Sequence, residues 1–275
     1  PNISQLNVTP SLAKGGTSLL ITAQVIDNYG VSGMPVMNIN GWPLSTPTKS
    51  GYIYTWNFVV PSTPPPVEGP AEITVFAVDL AGNTFNLLDT SKLTYDPNAP
   101  VFSAVTATPN LIRLGQTTVI TANVYDISPL NGLPTLTVNG VSATYTGVTD
   151  MGNNNKVYSY SFTVAASTPE GNATLTFSAR DILGNVRTTD YTDKLRIDKT
   201  APVISNVSSS PSISRAGGTV SITFDAVDAT GLNGRPTVTV NGATATYYSL
   251  FGNHYEYRFT VRTPALDPDG PATIF

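Results

Sequence analysis

Acidic residues recur along this chain at matched positions, and they are the side chains best placed in it to do chemistry. Asp27, Asp126 and Asp228 close the segments "ITAQVID", "ITANVYD" and "ITFDAVD". Asp79 and Asp181 stand inside "VDLAGN" and "RDILGN", each just ahead of a Gly-Asn turn. Asp96 and Asp198 open "DPNAPV" and "DKTAPV", while Glu68 and Glu170 sit in "PVEGP" and "TPEGN". Two roles suit carboxylates in such places. Oxygen ligands gathered from several loops suit calcium, which takes roughly six to eight of them. An Asp ahead of a Gly-rich turn also accepts backbone N–H groups in an Asx-turn, and that alone makes it recur at every equivalent hairpin. No compact DxDxDG loop is present, so the calcium reading depends on assembled geometry.

Other chemistries find little to work with. The chain has no Cys, which excludes disulfides, thiolate metal sites and cysteine nucleophiles. Its single histidine, His254, has no counterpart in the matched segments, so the general base of a hydrolase triad reads instead as surface decoration. Counting alone does not exclude a carboxylate pair for glycoside cleavage. Yet every notable acid recurs with its segment, as scaffold residues do. No P-loop and no dinucleotide fingerprint occurs. The expectation is a protein with no catalytic residues.

The elements that position these acids follow from repetition, which is sought before any motif. After each of Asp27, Asp126 and Asp228, at one common offset, comes a strand ending in Asn-Gly: "PVMNING", "PTLTVNG", "PTVTVNG". Within each copy the period is two, the mark of a β-strand. Ile21, Ala23 and Val25 share a face, as do Ile120, Ala122, Val124 and Ile222, Phe224, Ala226. A later strand is aromatic in all three copies: Tyr54, Trp56, Phe58; Tyr158, Tyr160, Phe162; Tyr255, Tyr257, Phe259. In register across copies, these rings read as core rather than as a sugar platform. Each Asn-Gly suits a tight hairpin turn with positive φ.

The second copy is expected to hold strands near 102–108, 117–125, 134–139, 142–147, 157–164, 173–180 and 186–197. About seven short strands in about a hundred residues is the pattern of an immunoglobulin-like sandwich. The fold class expected is therefore all-β, with tandem immunoglobulin-like sandwiches end to end: 1–100, 101–201, and an incomplete third at 202–275. The joints "YDPNAPVFSAV" and "IDKTAPVISNV" carry Pro, which stiffens short links. The closing "DGPATIF" matches "EGNATLT" and "EGPAEIT", so the third copy stops inside its sixth strand, lacking the rest of that strand and the seventh.

In the immunoglobulin topology the ends of the second and sixth strands share a pole, where the first strand begins. Asp96, Asp126 and Asp181 are thus expected to converge at one junction with Glu68 of the preceding copy, and with Asn98 nearby. Asp198, Asp228 and Glu170 are the matching set at the second junction, whose sixth-strand Asp lies past residue 275. Trp42, in "INGWP", has no aromatic counterpart in the other copies and is the candidate for an exposed contact surface.

The D-x-x-G-N hairpin, the "ID-x-x-AP" joint and the "V-D-…-L-N-G" loop together resemble tandem bacterial Ig-like domains of large cell-surface proteins, of the adhesin-stalk and surface-layer type. The resemblance covers nearly the whole chain and implies a secreted, repetitive, non-catalytic protein. Composition agrees with that implication. Of the 275 residues only 12% are charged and the net charge is −4, so no basic face invites nucleic acid. No apolar run reaches the length of a membrane span. Pro1 is not an initiator methionine and no signal peptide is present, so the chain reads as a piece of something longer. The sequons at Asn2, Asn7, Asn172 and Asn206 are no more than chance gives in a chain so rich in Ser and Thr. The expected partners are further repeats or neighbouring copies of the same protein, and a host or matrix glycan or protein. The alternatives are a filament subunit completed by strand donation and an accessory carbohydrate-binding module. No cofactor is expected unless it is calcium.

Overall fold

Alternation along the repeated segments becomes sheet. In Ser18–Ile26 the buried residues are Leu19, Ile21, Ala23 and Val25, and in Thr117–Tyr125 they are Thr118, Ile120, Ala122 and Val124. Their neighbours Leu20 and Val119 face solvent, as a period of two requires. The computed structural model describes residues 1–63, 66–267 and 269–275. The chain is all-β and forms two compact units, Pro1–Ile197 and Asp198–Phe275. Among the described residues no helix is long and apolar enough to cross a membrane.

The first unit holds two sandwiches of one plan. In the first, one sheet runs Asn2–Thr9, Ser18–Ile26, Ile53–Val59, Thr48–Ser50 in spatial order, and the other Thr84–Asp89, Ile73–Val78, Val36–Ile39, Trp42–Pro43. In the second the orders are Val101–Thr108, Thr117–Tyr125, Asn155–Thr163, Thr144–Gly152, and Val141–Ser142, Thr135–Val138, Leu175–Arg180, Val186–Tyr191. This is the strand order of an immunoglobulin-like sandwich. A seam of short strands closes each one. Leu12–Ala13 pairs in parallel with Thr94–Tyr95, and Leu111–Ile112 with Arg196–Ile197.

Two expected strands differ from those observed. In place of 142–147 there is a two-residue strand, Val141–Ser142, and then a long one, Thr144–Gly152, which belongs to the opposite sheet. The chain changes sheet within one residue. The expected last strand, 186–197, is broken: Val186–Tyr191 pairs with Leu175–Arg180, and Arg196–Ile197 crosses to the seam. That break lets Leu195 and Ile197 reach the interior, where they are 2% and 0% exposed.

Each sandwich has its own apolar core. The aromatic strand supplies much of it. Tyr54 and Trp56 are fully buried, as is Tyr160, whose hydroxyl donates to the Pro134 carbonyl at 2.6 Å. In the first sandwich Tyr54 Oη, Trp56 Nε1 and Tyr95 Oη are buried with no partner among the described residues, each at a cost of about 1–3 kcal/mol. The Asn-Gly turns do more than reverse the chain. Asn40, Asn139 and Asn241 have φ of 48°, 48° and 43°, and their side-chain oxygens accept the backbone N–H of Glu72, Thr174 and Thr273 at 2.7, 2.8 and 2.9 Å. One residue thus makes the turn and fastens it to the neighbouring strand.

The second unit carries one four-stranded sheet, Val203–Ser210, Thr219–Val227, His254–Thr260, Thr246–Phe251, and a hairpin of Thr239–Val240 with Ala243–Thr244. Phe275 exchanges backbone hydrogen bonds with Thr239 at 2.7 and 2.9 Å, so the closing residues lie beside that hairpin. Ile204 and Val207 are 51% and 57% exposed, where Phe102 and Val105 of the second sandwich are each 7% exposed.

Candidate metal centre

Three carboxylates meet between the two sandwiches of the first unit. Asp96 ends the seam of the first sandwich, with its N–H donated to the Ala13 carbonyl at 2.9 Å. Asp126 directly follows Thr117–Tyr125, and Asp181 directly follows Leu175–Arg180. Adjacent strands of opposite sheets end at this pole, so the fold delivers both acids to the point where the linker enters. Their exposures are 1%, 9% and 0%, and one oxygen from each lies within 4.8 Å of the others.

Local turns hold Asp96 and Asp126 by one oxygen and Asp181 by both. Asp96 Oδ1 accepts the Asn98 N–H at 3.2 Å, Asp126 Oδ1 the Ser128 N–H at 2.8 Å, and Asp181 Oδ1 the Asn185 N–H at 2.8 Å. The Asn185 amide adds a bond to Asp181 Oδ2 at 2.6 Å. Turn capping is therefore present, but it leaves oxygens that face one another. Among the described residues no Lys or Arg forms an ion pair with any of the three. Arg187 only lines a cleft of about 230 Å³ that opens on Asp96 and Asp126.

The Ser128 hydroxyl exposes the missing charge. It lies within hydrogen-bonding reach of Asp96 Oδ2 and, at 2.9 Å, of Asp126 Oδ1. A hydroxyl has one hydrogen to give. Both contacts are satisfied only if one carboxyl carries a proton or a cation supplies positive charge. Burial, with the adjacent Asp96, pushes the Asp126 pKa up to about 6, so a proton fills this role only below that pH. All-oxygen donors suit a hard cation, calcium before the softer transition metals, and the three acids fit such an ion.

A pH dependence follows. The unfolded chain loses this proton near pH 4 and the ion-free native chain holds it to about 6. The Asp126 contribution to stability is thus fully present below about pH 4 and is lost as pH rises towards 6. Acids held below their usual range by hydrogen bonds, such as Asp79 by the Asn83 side chain, act oppositely and below that window. In chelator, the melting temperature is expected to fall between about pH 4.5 and 6.5. With calcium, which binds the ionised form, it is expected not to fall.

The other expected ligands are placed differently. Glu68 does not join the three acids. It is bound by the Asn98 side-chain amide at the rim of the cleft. Asp198 and Asp228 lie together in the second unit, joined through the Thr230 hydroxyl, which contacts Asp198 and lies 2.8 Å from Asp228 Oδ1. That repeats the Asp96–Ser128–Asp126 arrangement. Glu170 belongs to the first unit, at the start of Gly171–Asn172. Trp42 is half-buried rather than exposed. It packs on the first core with ring centroids 6.3 Å from Phe58 and 6.2 Å from Tyr95, since its short strand folds back over the sandwich edge. His254 is exposed and bonded to Asp225 at 2.6 Å. Sequence reading passed over Ser128 and Asn185. The signal for Ser128 was a hydroxyl two residues after the Asp, repeated as Thr230, and for Asn185 it was the final letter of D-x-x-G-N.

No family model and no curated protein matches the chain. Among solved structures it is similar to one from a 1.5-MDa bacterial ice-binding adhesin, at 16% identity and TM-score 0.49, covering 99% of this chain and 95% of that one. It is similar to FdeC, an Escherichia coli adhesin, at 15% identity and TM-score 0.46, covering 96% and 90%. The I67–I69 fragment of titin aligns at 12% identity and TM-score 0.43, covering 95% and 88%.

Proposed function

We propose that this chain is a non-catalytic structural segment of an extracellular surface protein, a stalk of repeated sandwiches. Calcium at the joint between the first two locks them in register. The observation that carries the reading is the set of three nearly buried carboxylates, contributed by the linker and by two strand ends, with no Lys or Arg among the described residues paired to them. Burying such charges uncompensated is costly, and an ion bridging linker to sandwich turns that cost into stiffness. Asp96 is the ligand from the joint, and Asp126 and Asp181 are those from the following sandwich. The repeated Asp198–Thr230–Asp228 arrangement makes the device a property of the repeat. A stalk needs interchangeable copies, and the two complete sandwiches share strand order, seam and turn clasps. Its working partners are further repeats and a ligand held at a distance.

Scanning calorimetry in chelator and in calcium tests this. Calcium at a hundredfold its Kd is expected to stabilise the chain by about 2.7 kcal/mol. Identical melting in chelator and millimolar calcium would end the calcium reading.

A further inference from the structure

A closed ring of contacts ties the first sandwich to the second beside the acids. Lys14 Nζ donates to Asn185 Oδ1 at 3.2 Å, Asn185 Nδ2 donates to the Asp96 carbonyl at 3.2 Å, and the Asp96 N–H donates to the carbonyl of Ala13, the residue before Lys14. Asp96 is thus gripped on its N–H by one sandwich and on its C=O by the next, and Lys14 closes the circuit.

The basic residue belongs to the repeat. Lys14, Arg113 and Arg215 occupy the same turn: each carbonyl accepts the N–H of the third residue onward, at 3.1, 3.0 and 2.8 Å. The same turns are fixed by Gly16, Gly115 and Gly217, which donate to Val60, Val164 and Val261 at 2.8, 2.9 and 2.8 Å. The receiving hairpin also recurs. Asn83 clasps Asp79 through its N–H and its side-chain amide at 2.8 and 2.8 Å, as Asn185 clasps Asp181 at 2.8 and 2.6 Å. In each clasp the amide nitrogen is engaged and the amide oxygen is turned away from the Asp.

We propose that this basic turn is the docking surface of the repeat, and that its partner is the D-x-x-G-N hairpin of the repeat that follows. The cation takes the oxygen of the hairpin Asn, whose nitrogen already serves the Asp and the linker carbonyl. The joint is then set by direct contact between successive repeats, whether or not an ion is bound.

Amide hydrogen exchange of the 275-residue chain in chelator tests this apart from calcium. Lys14→Met is expected to speed exchange of the Asp96 amide about tenfold, the population change that one charge-assisted hydrogen bond controls. The Ile120 amide in the core of the second sandwich stays unchanged. Lys14→Arg, which carries the residue of the other two turns, restores protection to within about twofold. Unchanged Asp96 exchange in Lys14→Met would overturn the proposal. So would equal acceleration of Asp96 and Ile120, or failure of Lys14→Arg to restore protection. The calcium reading stands or falls separately, on the melting of the unsubstituted chain.

Discussion

In Asp181→Ala, calcium no longer raises the melting temperature, and the ion-free chain is itself less stable by about 2 kcal/mol. Asp181 is fully buried and accepts two bonds from Asn185, one at each oxygen. Truncation leaves the Asn185 N–H and side-chain amide without that partner, and each loss costs roughly 1 kcal/mol or more. Removing one of three clustered negative charges offsets part of this. The calcium contribution expected at a thousandfold over Kd, about 4 kcal/mol, is expected to vanish with the proposed ligand. Asp181→Asn separates the two roles. It keeps an oxygen for the Asn185 N–H and removes the charge but sets an amide donor against the Asn185 side-chain amide, so the ion-free chain is expected to lose about 1–2 kcal/mol, no more than in Asp181→Ala, while the calcium response is lost. Calorimetry of the three proteins, each with and without calcium, makes the comparison. A full calcium response in Asp181→Asn contradicts the assignment of Asp181 as a ligand.

Phe177→Ala destabilises the second sandwich by about 4 kcal/mol, the usual cost of emptying a fully enclosed aromatic site. Phe177 is 0% exposed and lies between the sheets. Its ring centroid is 5.4 Å from that of Phe102 and 6.1 Å from those of Tyr160 and Tyr191, with edge contacts to the last two. These partners come from three other strands, so the cavity cannot close without moving both sheets. Leu111, 45% exposed at the seam, provides the contrast, and Leu111→Ala is expected to cost under about 1 kcal/mol. Urea unfolding followed by tyrosine fluorescence reads both. A cost for Phe177→Ala as small as that for Leu111→Ala would contradict the core assignment.

The strands that face the core could be read from sequence because their alternation is enforced by burial. Ile120, Ala122 and Val124 show the pattern, and so do the aromatic strands. Thr144–Gly152 could not. It lies at a sheet edge, is exposed along almost its whole length, and shifts register between Tyr145 and Gly147. With one face in water and one neighbour, nothing in its side chains marks which sheet it joins. The broken last strand was hidden for a different reason. Leu195 and Ile197 lie two residues apart, as in any strand, and that spacing does not reveal the crossing to the seam.

The acids were legible in part. Asp126 and Asp181 end strands whose order the immunoglobulin plan dictates, and Asp96 sits at a joint fixed by Ala-Pro, so their meeting follows from topology. Glu68 and Trp42 depend on loop and edge conformations that repetition does not constrain. Ser128 looks like an ordinary Asx-turn residue until the linker brings Asp96 against its hydroxyl. The same fold-level contact gives Lys14 its partner from a distant hairpin.

The most direct measurement is anomalous X-ray diffraction from crystals of this chain grown in calcium. The account predicts a calcium peak between the first two sandwiches, with oxygens of Asp96, Asp126 and Asp181 at about 2.3–2.6 Å from it. Calcium-saturated crystals with no peak there, and with Asp96 still bonded to Ser128 in its place, would contradict it.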